Sequence, residues 1–197
     1  MTRSAELEIA VQGLLRDPDT PALERHLRHN LPVLVYNSRP DISTEAALER
    51  LDEALGLIER YTPERFARLG EDFVAILVRR YPCRAAYYPE LRVCLIELTF
   101  LVHPEITAAQ VGASIVHEAV HARYGGAGIR GGPQAAADEE RMCRQAEIEF
   151  GLAVPGGEPV VERARAALGL ADEEVAPAID WRLAAERVAE ADRRATE

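Results

Sequence analysis

The segment His117-Glu118-Ala119-Val120-His121 constrains this chain more than any other feature. At 3.6 residues per turn, histidines four apart leave one helix face, one turn apart. The segment must therefore be helical for both imidazoles to serve one ion. The flanking residues encode that helix. Thr107 is a candidate N-cap, and Gln110 completes a capping box with it. Ile106 and Val111 occupy the staple positions around the cap. The helix is expected to run to about Tyr124, where Gly125-Gly126 stops it.

Two neutral imidazoles so placed can bind Zn²⁺ at about 2.0–2.1 Å each. Glu118 sits beside the first ligand but is displaced around the helix. It is placed to reach a metal-bound water and act as general base. A catalytic zinc site needs a third protein ligand and one open position. The other histidines, His26, His29 and His103, all precede the motif. The downstream candidates are carboxylates on the helix after the glycine-rich segment: Asp138, Glu139, Glu140, Glu147 and Glu149.

Glu140 is the favoured third ligand. It shares a helical stripe with Cys143, Glu147 and Phe150, at spacings of three, four and three. A carboxylate on a largely apolar stripe needs a partner, and a metal is one. Glu139 and Glu147 are the alternatives. Cys143 reads as a buried, inert thiol and is left out of the ligand set.

Around this motif the chain reads as α+β. A helix is expected over Glu6–Leu15, and a second from Asp19-Thr20-Pro21 to Asn30-Leu31-Pro32. Ser43-Thr44-Glu45 opens a third, with Leu48, Leu51, Leu55 and Ile58 on one face. Thr62-Pro63-Glu64 opens a short fourth. Strands are expected at Phe73–Val78 and Arg92–Leu101, with Ala85–Tyr88 a strand or turn. Together they suggest a small antiparallel sheet. After the HExxH helix, Gly125–Gly132 reads as a flexible loop. Helices then follow from about Pro133, from near Pro159 and after Asp180.

The length of 197 residues suits one domain, residues 1–197. Hydrophobic residues are 48% and charged residues 28%, a balance that can bury a core. The net charge of −10 argues against nucleic-acid binding, which needs a positive surface, and favours cations. All 23 basic residues are arginine. The three cysteines, Cys83, Cys94 and Cys143, form no CxxC pair and point to a reducing compartment. No apolar run is long enough to span a bilayer, and the N-terminus lacks a signal-peptide core. The expectation is a soluble cytoplasmic protein without a membrane partner.

The segment Ser114-Ile115-Val116-His117-Glu118-Ala119-Val120-His121-Ala122, followed by a Glu on the next helix, resembles the HExxH-plus-Glu zinc metallopeptidases, the gluzincins. The resemblance spans about residues 107–150. It implies a zincin-like fold, with His117, His121 and Glu140 holding zinc and Glu118 as the base. It also implies an edge strand just before the active helix, to which an extended peptide or protein substrate adds by main-chain hydrogen bonds. Arg92–Leu101 would be that strand. One position departs from the family. Where it often has an Asp four residues after the ligand Glu, this chain has Arg144, and Glu147 is then the candidate to orient a ligand histidine. Tyr87, Tyr88, Tyr124, His103 and Arg130 are oxyanion candidates by residue type. The expected activity is zinc-dependent peptide hydrolysis. The alternative is a catalytically silent zinc-binding module for regulation or protein interaction on the same fold.

Overall fold

The computed structural model describes residues 3–14, 23–125, 127–176 and 180–196. Helix α1 (Arg3–Leu14) is followed by strands β1 (Glu24–Arg28) and β2 (Leu31–Tyr36). Helices α2 (Thr44–Tyr61) and α3 (Pro63–Asp72) lead into β3 (Ala75–Arg79), β4 (Ala85–Tyr88) and β5 (Val93–Glu97). Next come α4 (Leu98–Val102), α5 (Ala108–Tyr124), which carries the HExxH segment, and α6 (Ala127–Ala153). The chain closes with α7 (Glu158–Leu168), α8 (Asp172–Val175) and α9 (Trp181–Thr196).

The α+β class holds, but the sheet is mixed, not antiparallel. Its order is β1-β2-β3-β5-β4. The central pairs β2–β3 and β3–β5 are parallel, and only the outer pairs are antiparallel. The physical reason lies in the strands themselves. Ala75-Ile76-Leu77-Val78 and Val93-Cys94-Leu95-Ile96 are apolar without alternation. Such runs are buried on both faces, as parallel strands usually are. One face, with Val33, Val35, Ile76, Val78, Cys94 and Ile96, joins the main core. The other, with Leu34, Leu77 and Leu95, packs with Val11 and Leu7 of α1.

The second expected helix is also corrected. Asp19-Thr20-Pro21 lies outside the described residues, and residues 24–32 belong to the β1–β2 hairpin. His29 and Asn30 both take positive φ, 47° and 62°. This is the two-residue turn whose twist matches that of its strands, and Asn tolerates it. β2 then carries the β-branched residues Val33 and Val35 into the core.

The third correction concerns Arg92–Leu101. Only Val93–Glu97 is strand, and it lies inside the sheet, between β3 and β4. The Glu97 carboxylate accepts a hydrogen bond from the Phe100 N–H at 2.7 Å, capping α4 and turning the backbone helical. The sheet edge nearest α5 is therefore β4.

The helix signals of α2 and α5 were read correctly. Ser43 caps α2, and its Leu48, Leu51, Leu55 and Ile58 are fully buried. Burying each such side chain contributes about 1.5–3 kcal/mol. Thr107 and Gln110 form the capping box of α5. Gly125 closes that helix in the left-handed conformation, φ 64°. The expected Gly125–Gly132 loop is mostly helical: α6 begins at Ala127 and kinks at Gly132, φ 80°. Among the described residues no helix is long and apolar enough to cross a membrane.

Candidate metal centre

α5 is buried almost all round from Ala109 to Val120. It packs against α2 on one side and α6 on another. Gly112 allows the approach, since a Cβ there would lie 2.8 Å from the Phe150 ring and 3.4 Å from the Ala54 carbonyl oxygen. The α6 stripe read from the sequence is thereby laid along the histidine face of α5.

Four donor groups meet between the two helices. His117 Nε2 and His121 Nε2 are 3.1 Å apart. The Glu140 carboxylate touches both, at 3.5 Å from His117 Nε2 and 3.2 Å from His121 Nε2. Cys143 Sγ is 3.6 Å from His121 Nε2. His117, His121 and Cys143 offer one ligand atom each, all within 4.8 Å of one another. A tetrahedral ion bonded at about 2.0–2.1 Å to imidazole nitrogen and about 2.3 Å to thiolate separates two nitrogens by roughly 3.4 Å and nitrogen from sulfur by roughly 3.6 Å. The nitrogen and sulfur spacings here come within a few tenths of an ångström of that. The donor set of imidazole, carboxylate and thiolate suits zinc.

The other two glutamates on the stripe hold the far sides of the rings. Glu147 Oε1 lies 2.8 Å from His117 Nδ1, and Glu139 Oε1 lies 2.7 Å from His121 Nδ1. Such contacts fix the ring orientation and leave each Nε2 facing the shared space. The structure thus brings His117, His121 and Glu140 together and puts both alternative glutamates behind the rings. Glu147 is 1% exposed and also meets Arg144 at 2.8 Å and Arg163 at 3.2 Å.

Without an ion, these contacts shift the proton affinities of the groups. For His121, burial opposes charge, but Cys143 and Glu140 outweigh it and lift the pKa to about 11. His117 is raised in the same way, burial being outweighed by Cys143, Glu140 and Glu147. Glu140 is held well below the ordinary carboxylate range, because the two imidazoles outweigh its burial. Glu118 moves the other way: burial raises its pKa, against the pull of His117 and His121. A carboxylate raised in this way is suited to taking up a proton.

Glu118 opens onto a cleft of about 370 Å³. Its walls come from the segment just before β4 (Cys83, Arg84), from α5 (Ser114, Glu118), and from Arg144 of α6 and Arg163 of α7. None of the oxyanion candidates with a described side chain lines it. Tyr87 packs on Phe73, Tyr88 on Tyr81, and Tyr124 is exposed. His103 accepts the Glu105 N–H. The Arg130 side chain lies outside the described residues.

Two features escaped sequence reading. The first is Cys143 as a member of the donor group; its place one turn after Glu140 was the available signal. The second is the arginine trio of the cleft. Its members come from three segments, and no local pattern joins them. No protein-family model, curated protein or solved structure matches this chain.

Proposed function

We propose that this chain is a zinc-dependent peptidase. The observation that carries the reading is the convergence of His117 Nε2, His121 Nε2 and the Glu140 carboxylate, with Glu118 on the same helix facing a cleft. His117, His121 and Glu140 would hold the ion, and Glu139 and Glu147 would orient the two imidazoles. Zinc there supplies Lewis-acid chemistry, acidifying water and polarising a carbonyl. Glu118 takes a proton from the attacking water at its carboxylate, and then gives it to the departing amine. The shielded position of Glu118 raises its proton affinity and suits it to both transfers.

The substrate would lie extended along β4. This strand pairs only with β5 among the described residues, and its start lines the cleft. A peptide added to the free edge brings a carbonyl toward Glu118 by main-chain hydrogen bonds. The three cysteines are free, which suits a reducing compartment such as the cytoplasm.

A second reading is favoured by Cys143. If its thiolate completes a four-ligand set, the site is closed, as structural zinc sites are. The protein would then be a metal-stabilised binding module.

Elemental analysis and Glu118→Gln separate the possibilities. For a peptidase, the purified protein carries about one zinc per chain, lost in His117→Ala and Glu140→Ala. Glu118→Gln keeps the zinc and loses cleavage of a peptide library by a factor of roughly 10² or more. A zinc-loaded wild type that cleaves nothing in the library removes the peptidase reading and leaves the closed site. Absence of zinc after loading and dialysis removes both.

A further inference from the structure

Three arginines face the cleft beside Glu118 in a chain whose net charge is −10. They arrive from separate segments: Arg84 just before β4, Arg144 on α6 and Arg163 on α7. Arg144 and Arg163 each place a terminal nitrogen on Glu147, at 2.8 and 3.2 Å, and the other terminal nitrogen of Arg144 lies 3.6 Å from the Glu140 carboxylate. Their Nε atoms are buried and have no hydrogen-bond partner. Arg84 makes no ion pair among the described residues; its guanidinium lies over the Phe100 ring, 5.6 Å from the centroid. Like charge from Arg163 and Arg144, added to burial, lowers the pKa of Arg84.

Like charges are costly to gather, yet Arg84 brings a third guanidinium to the cleft beside the two that meet Glu147. Within the lining, three guanidinium groups stand against two carboxylates, Glu118 and Glu147. Guanidinium binds a planar carboxylate through two parallel hydrogen bonds, and the unused Nε donors suit that geometry. The volume of about 370 Å³ is near the lower end of the usual range for small-ligand sites, about 300–1,000 Å³. That suits the end of a peptide, not a chain running through.

We infer that Arg84, Arg144 and Arg163 form a pocket for the C-terminal carboxylate of a short peptide, so that the chain acts as a carboxypeptidase. This rests on the peptidase reading for its chemistry but not for its binding. In the reaction one peptide C–N bond breaks. The OH of water goes to the acyl carbon, and its proton goes to the released amine. The arginines hold the terminal carboxylate, so the bond presented to Glu118 is one close to the C-terminus.

The test is binding, measured by titration calorimetry on zinc-loaded Glu118→Gln and repeated on the wild type after chelation. The probes are N-acetylated tripeptides with a free C-terminal carboxylate and the same peptides as C-terminal amides. The free acids are expected to bind on the order of tenfold or more tightly, as charge-assisted hydrogen bonds allow. Arg84→Gln is expected to remove most of that preference without unfolding, since it breaks no ion pair. Arg163→Lys keeps the charge facing Glu147 but loses the fork, and should weaken the preference too. A C-terminal amide carrying a glutamate side chain distinguishes the two carboxylate sources. Tight binding of that probe would overturn the terminal assignment. Equal binding of acid and amide, a preference that survives both variants, or inorganic phosphate outcompeting the free acids would also overturn it. A preference that persists in the chelated, inactive protein would keep the pocket while separating it from any failure of the zinc chemistry.

Discussion

At the residue scale, the site turns on how one stripe of α6 divides its acidic and thiol groups. Glu140 enters the space between the two Nε2 atoms, while Glu139 and Glu147 sit behind the rings. Cys143 lies 3.6 Å from His121 Nε2, where a fourth ligand would be. If the thiolate is bound, the Co²⁺-substituted protein will show a thiolate-to-cobalt charge-transfer band in the near ultraviolet. Cys143→Ser should abolish that band and leave one Co²⁺ per chain. If the wild type lacks the band, Cys143 is only a neighbour, and the fourth position stays open for catalysis. The meeting of His117, His121 and Glu140 was legible in the sequence, because helical spacing puts each on a known face. The thiol was legible as a neighbour but not as a donor. Burial explains most cysteines, and only the distance to His121 gives this one another role.

At the element scale, α5 is fixed from end to end. Its capping box closes the start, Gly125 closes the finish, and Arg123 pairs with Asp72 of α3 at 2.6 Å. Its middle depends on Gly112, where Ala54 of α2 and Phe150 of α6 both press against the helix. Gly112→Ala places a methyl against an aromatic ring that has no flexible tail to yield. The expected cost is about 1–3 kcal/mol by denaturant melting, with weaker metal binding because α6 is pushed off the histidine face. A substitution without effect on either would mean the α5–α6 contact is looser than these distances. The strands carry the opposite lesson. The apolar runs at Ala75–Arg79 and Val93–Glu97 identify strands, but a short run does not state its direction. Their lack of alternation was the sign of a sheet covered on both faces, and hence of parallel pairing.

At the scale of the whole molecule, the candidate metal site joins α5 to α6, and ionisation there is coupled to folding. The raised pKa values of His117 and His121 stabilise the metal-free protein below their ordinary value, 6.5; for His121 that contribution is lost as pH rises toward about 11. The lowered pKa of Glu140 contributes above its ordinary value of 4.5 and is lost as pH falls. The chelated protein should therefore melt highest between about pH 4.5 and 6.5. Zinc requires neutral imidazoles, so the rise in Tm on adding zinc should grow with pH. Scans at pH 5.5 and 8 with and without chelator check this; an equal zinc shift at both would argue against two histidine ligands. Far from the site, Asp192 of α9 accepts hydrogen bonds from Arg39 at 2.7 Å and Arg80 at 3.0 Å, tying the last helix to the loops after β2 and β3. The sequence read α9 as a charged helix capped by Asp180, and the Leu183 N–H does donate to Asp180 at 3.0 Å. It could not name Arg39 or Arg80, because each ion pair spans more than a hundred residues.

By itself, the sequence determined what depends on neighbours along the chain. Caps, helix faces and the i, i+4 histidine pair follow from a few consecutive residues, so α2, α3, α5 and the residues of the proposed metal set could be read directly. Tertiary structure decided everything that depends on distant segments meeting. It set the strand order and direction, moved the free edge from β5 to β4, and put Cys143 beside the histidines. It also gathered Arg84, Arg144 and Arg163 at one cleft. Side-chain direction is fixed locally by backbone geometry, whereas the identity of the facing surface is fixed only when the whole core packs.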